Sequence, residues 1–208
     1  MKLRNIFTAM LLSLGILFAS AADRTTAAAL LERCTAAIKS AGAVSMDFTI
    51  AGNGGDFRGK ITMSGNAFAM VVPGVRVWFD GRTQWTLLED QSTVNITEPT
   101  LDELMESKPF VILSNYASRY SARRVEGAPA GQKRVLLTPS GKSEAGILNA
   151  TLTVSDRTSL PTQVDIMFNN GSEIKATVQS ANKIPRPNPA AFRFNPKDYE
   201  ATEIVDLR

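Results

Sequence analysis

From Val44 onward the chain reads with a period of two, and that property restricts its fold more than any other. "VSMDFTI" places Val44, Met46, Phe48 and Ile50 on one face, because successive side chains of a strand point to opposite sides. A turn at "NGG" leads into "FRGKITM", where Phe57, Ile61 and Met63 come forward and Gly59 marks a flat or bulged point. A second turn, "SGN", leads into "AFAMVV" with Phe68, Met70 and Val72 on one side. "VRVWFDGRTQW" follows, with one tryptophan on each side of an Asp-Gly pair. Asp-Gly between apolar runs is a hairpin signal, since glycine accepts the positive φ of a tight turn. "STVNIT" closes this series of strands.

The pattern breaks at "EPTLDELMESKPFVILSNYASRY". Thr100 and Glu103 have the spacing of a capping box after Pro99, and Leu101, Leu104 and Met105 then share a helical face. Pro109 opens a second short helix carrying Phe110, Ile112 and Leu113. Alternation resumes in "RYSARRVE", "KRVLLTP", "GILNATLTVSD", "LPTQVDIMF" and "SEIKATVQS", with "NNG" as a hairpin turn. The proline-rich "IPRPNPAAF" is excluded from a sheet interior, and the last residues read as a further strand. Ahead of all this, "AAALLERCTAAIKSAG" spaces Leu30, Leu31, Cys34 and Ile38 as one helix face, ended by Gly42. About eleven short strands with hairpin-length links predict a mainly β (α+β) fold. The expected form is an incomplete antiparallel barrel covered by the N-terminal helix and the central helical insert.

Residues 1–22 read as a signal peptide. Lys2 and Arg4 precede an apolar run, Ile6 to Ala19, that is short for a membrane span, and small residues set cleavage near Ala21–Asp23. The expectation is a periplasmic protein with one domain over residues 23–208. No cysteine stands at the cleavage point to receive a lipid. Losing Lys2 and Arg4 takes the net charge from +3 to +1, and Arg119, Arg123 and Arg124 read as a solvated strand end. Neither points to a nucleic-acid partner.

The chain has no histidine and one cysteine. That excludes an internal disulfide and His-based triads, and leaves no ligand set suited to zinc or copper. "GKS" at Gly141–Ser143 ends like a phosphate-binding loop, but Leu136 stands where the first glycine belongs. "SEIK" has Ser-x-x-Lys spacing on a strand, where those side chains point apart. No catalytic residue, metal or cofactor is expected, and the chain does not read as an enzyme. What it has is inward bulk: Met46, Phe48, Ile50, Ile61, Met63, Phe68, Met70 and Val72. This row suits either a core beneath the helix or the lining of a cavity, and its methionines adapt to a flexible apolar guest.

The order of elements resembles the LolA-type periplasmic carriers of outer-membrane lipoproteins. The likeness rests on Asp80, Gly81 and Trp85, on Pro109, Phe110, Ile112 and Leu113, and on Phe192, Phe194, Asp206 and Arg208. The resemblance implies a half-barrel that shelters acyl chains. Its partners would be an acylated lipoprotein or other lipid cargo, an inner-membrane ABC-type release transporter and an outer-membrane acceptor. The turn "SGNAF", Ser64 to Phe68, lacks the arginine and proline with which better-known members hold the lid. A carrier of a different lipid, or a lipid-sensing or regulatory envelope module on the same half-barrel, is the alternative. A three-residue loop with a glycine bulge would set Trp85 and Leu87 beside Val77 and Phe79, facing the cavity, with Trp78 outside. The expected acyl-binding residues are therefore the inward row with Val77, Phe79, Trp85 and Leu87. The expected lid is Leu30, Leu31, Leu101, Leu104, Met105, Phe110, Ile112 and Leu113.

Overall fold

A computed structural model describes residues 26–52, 55–100, 103–104, 110, 119–141, 143, 146–199 and 203–208. The expected signal peptide, and Leu101, Met105, Pro109, Ile112 and Leu113 of the insert, lie outside the described residues. Helix α1 spans residues 26–40. Ala27, Leu30, Leu31, Cys34 and Ile38 form its buried face, the stripe that the 3.6-residue period dictates. Gly42, at φ +82°, ends the helix and donates its N–H to the carbonyl of Lys39 at 3.3 Å. Among the described residues no helix is long and apolar enough to cross a membrane.

Six strands follow as one antiparallel meander: β1 Ala43–Gly52, β2 Phe57–Ser64, β3 Ala67–Val72, β4 Val75–Phe79, β5 Gln84–Leu88 and β6 Thr93–Thr97. A second meander contains β7 Tyr120–Val125, β8 Gln132–Pro139, β9 Ile147–Ser155, β10 Pro161–Phe168 and β11 Glu173–Ile184. β11 pairs with β1 and joins the two, and β12, Glu203–Asp206, pairs in parallel with β6. The result is a single twelve-stranded sheet in the order β12-β6-β5-β4-β3-β2-β1-β11-β10-β9-β8-β7. β12 and β7 are its two edges, so the barrel stays open.

The inner face carries the main core. Val44, Met46, Phe48 and Ile50 of β1 pack with Ile61 and Met63 of β2, Phe68 of β3 and the buried face of α1. Val135, Leu152, Val164 and Ala176 extend the same core through the second meander. Where one face is buried along a whole strand, alternation fixes register. In β1 to β4 the inward residues are those the period selects.

The hairpin between β4 and β5 departs from expectation. Trp78 lies directly opposite Trp85, Val77 opposite Thr86 and Phe79 opposite Gln84. Asp80 to Thr83 thus form a four-residue loop, and the two tryptophans share a face. Trp85 and Leu87 point to the outer side of the sheet, with Gln84 and Thr86 in their place on the inner side. The reason is a second core on the outer face. Leu87, Val94 and Phe194 are buried there, with Trp78, Trp85, Ile96 and Tyr199 packed against them.

The chain after β11 supplies the cover. It turns twice in 3₁₀ segments, Pro189–Phe192 and Pro196–Asp198, each with an asparagine N-cap and proline in its first turn. Asn188 accepts from the N–H of Ala190 at 2.9 Å and Asn195 from that of Lys197 at 3.2 Å, the bonds for which cap asparagines are favoured. Phe194 then meets Trp78 at 5.7 Å between ring centroids and stacks on Tyr199 at 5.4 Å. Asp80 fastens this strap. Its carboxylate accepts from the N–H groups of Arg82 and Thr83 at 3.1 and 3.0 Å and from Arg193 Nε at 3.0 Å.

Candidate functional site

On the inner face, between β1 to β5 and Phe110, the sheet leaves a hollow of about 350 Å³. Its walls are Phe48, Ile50, Phe57, Ile61, Met70, Val72, Val75 and Val77, with Gln84 and Thr86 as the polar members and Phe110 above. The volume falls within the range of ligand sites, which are commonly apolar with a few placed polar groups. Phe110 is buried and sets its ring 5.3 Å from that of Phe48. Phe110 therefore lies against the sheet at this point. The insert opens on the expected capping box: Glu103 accepts from the N–H of Thr100 at 2.7 Å, and Thr100 Oγ1 accepts from the N–H of Glu103 at 3.3 Å. The bonds from Thr100 hold the Glu103 carboxyl below its usual range.

Of the expected acyl-binding residues, Phe48, Ile50, Ile61, Met70, Val72 and Val77 meet around the hollow. Met46, Met63, Phe68 and Phe79 share their face but pack into the core instead. Phe68 and Phe79 hold each other at 5.3 Å between rings. Trp85 and Leu87 are on the other side of the sheet, for the reason given above. Among the expected lid residues, Leu30, Leu31, Leu104 and Phe110 are all buried in the main core. Sequence reasoning left out Phe57, Val75, Gln84 and Thr86. The first two belong to the alternating rows and were within reach. Gln84 and Thr86 follow only from the true hairpin register.

The turn that lacks arginine and proline makes a different tie. Ser64 Oγ donates to the carbonyl of Gly42 at 2.7 Å, joining the end of β2 to the residues that follow α1. Cys34, in the helix beneath, is buried, and burial pushes its thiol up to about 12. A thiol held neutral in this way is a packing group, not a nucleophile.

A larger hollow, about 720 Å³, runs between Asp47, Arg58, Lys60, Arg76 and Glu89 on the outer face. Its charges largely satisfy one another: Lys60 lies 3.5 Å from Asp47 and Arg76 Nε 2.7 Å from Glu89. Ser180 Oγ also donates to Asp47 at 2.6 Å, which, with Lys60, holds the carboxyl below its ordinary value. Size alone favours this groove. The smaller hollow is largely apolar, with Phe110 on one side of it.

An open twelve-stranded sheet, antiparallel except at β12, with a helix packed on its inner face defines a class of fold. Comparison with known proteins places the chain within that class. Residues 17–171 match the family model described as outer membrane lipoprotein carrier protein LolA, and the chain belongs to this family. An uncharacterized conserved protein from Thermus thermophilus superposes with a TM-score of 0.60 at 11% identity, covering 87% of this chain and 99% of that one. An outer membrane lipoprotein-sorting protein domain from Vibrio parahaemolyticus gives 0.50 at 9% identity, covering 82% and 97%. At such identities the likeness is one of fold. No curated protein matches the sequence.

Proposed function

We propose that the protein is a periplasmic carrier that shelters acyl chains of a lipoprotein in the inner hollow. It would collect them from an inner-membrane ABC-type transporter, deliver them to an outer-membrane acceptor and catalyse no reaction. The observation that carries this reading is a largely apolar hollow of about 350 Å³ lined on one side by Phe110, in a chain whose family model is that of a lipoprotein carrier. Each buried methylene is worth ~0.8 kcal/mol, so a single long chain gains roughly 10 kcal/mol on leaving water. That gain explains why such cargo needs shelter. It also explains why a carrier needs a lid that a partner can open rather than a sealed core.

The test is an organic extract of protein purified from the periplasm, read by mass spectrometry, together with binding of an apolar dye. Acyl-bearing species and saturable dye binding are expected; neither appearing would overturn the reading. Met70→Glu puts a charge in the wall and should weaken dye binding at least about tenfold, since a buried unpaired charge is strongly disfavoured. Val71→Glu, one residue along and on the exposed face, should leave binding unchanged.

A further inference from the structure

Two polar side chains interrupt the apolar wall, and one of them is incompletely bonded. Gln84 Nε2 donates to Thr86 Oγ1 at 3.0 Å. Gln84 Oε1 is buried and has no hydrogen-bond partner. Leaving a buried acceptor unpaired is costly, so the position favours any occupant that brings a donor to it. Gln84 also lines a second hollow, of about 470 Å³, at the sheet edge beside Thr97, Glu98, Glu103 and Arg208. It therefore stands in the wall between an oily compartment and a charged one. For an amphiphile with its chain in the first and its head in the second, the linkage between them falls at Gln84.

Resting on the acyl-carrier reading above, we propose that Gln84 selects chains joined through an amide. An ester linkage offers only acceptors, and so leaves Oε1 unpaired. A secondary amide carries an N–H that can donate to it. A carboxylate likewise brings only acceptors and leaves Oε1 unpaired. Linkage chemistry, rather than chain length, is then what this site reads.

Three uncharged probes of one chain length separate the possibilities: N-methylhexadecanamide, N,N-dimethylhexadecanamide and methyl hexadecanoate. With the delipidated mature protein, the secondary amide should displace an apolar dye at least about fivefold more tightly than the other two, the scale of one buried hydrogen bond. Gln84→Leu fills the space without an acceptor and should bring the three within about twofold, with thermal unfolding confirming that the variant folds. Equal binding by the wild type would overturn this inference and leave the acyl cavity standing. A preference for the ester would overturn it too, because the amide nitrogen of Gln84 would then face the ligand. Retention of the amide preference by Gln84→Leu would assign the selection elsewhere. Failure of all three probes to bind would sink the carrier reading along with this one.

Discussion

A Cβ built at Gly59 would stand 2.6 Å from Cζ of Phe48, 2.8 Å from Cγ1 of Val72 and 2.9 Å from the carbonyl oxygen of Val71. Gly59 pairs with Phe48 across β1 and β2, and the missing side chain lets the Phe48 ring lie back over the strand. The same ring is a wall of the inner hollow and the contact of Phe110. Gly59→Ala should therefore cost about 1–3 kcal/mol in urea unfolding, the range for overpacking, and should also reduce dye binding by shifting Phe48. A variant with unchanged stability and binding would show that the ring moves freely. The sequence marks Gly59 as an irregular point in a strand. Which ring uses the space was not legible there, because that depends on a rotamer and on a partner strand.

At the scale of elements, the strap over the outer face rests on Asp80. Its turn bonds to Arg82 and Thr83 N–H groups hold the loop, whereas its partner Arg193 is largely exposed. An exposed ion pair contributes about 0–1 kcal/mol, and a charge-assisted bond to a partly buried backbone N–H contributes about 1.5–3 kcal/mol. Asp80→Asn keeps an acceptor for the loop and should lose under about 1 kcal/mol, the exposed-pair scale. Asp80→Ala should lose about 2 kcal/mol or more, measured by urea unfolding. Equal losses would mean that the ion pair, not the turn, does the holding. This strap also explains why the hairpin register was hidden. Val77 and Phe79 face one apolar environment, and Trp78, Trp85 and Leu87 face another, and the polar side of β5, Gln84 and Thr86, turns inward to the hollow rather than outward. Asp80, Trp85 and Phe194, three of the residues behind the family likeness, belong to this outer assembly or its fastening, whereas Phe110, another, lines the hollow.

At the scale of the whole molecule, the two meanders were legible because each strand buries one face and hairpin links pair neighbours. The joints between distant strands were not. Nothing in the local pattern of β1 names β11 as its neighbour, and nothing in the last residues names β6 as the partner of a parallel β12. Those joints are pairings between segments far apart in sequence, set by the closing of the sheet as a whole. The β1–β11 seam aligns the full length of β1, from Ala43 against Ile184 to Gly52 against Ile174. Its consequence is temporal. Each meander is assembled from local contacts, whereas the seam, whose partners such as Ala43 and Ile184 lie far apart in sequence, must bear the loop-closure entropy of all the chain between them before it is rewarded. Formation of the seam is then the expected rate-limiting step of folding, with the strap expected to follow it. Ala176→Gly, in β11 opposite Ile50, should slow refolding in stopped-flow experiments. Phe194→Ala should leave refolding nearly unchanged and speed unfolding. The reverse pattern would put the strap first. With the seam as the late step, the inner hollow, lying almost wholly within the first meander, takes shape before the molecule is committed to its final form.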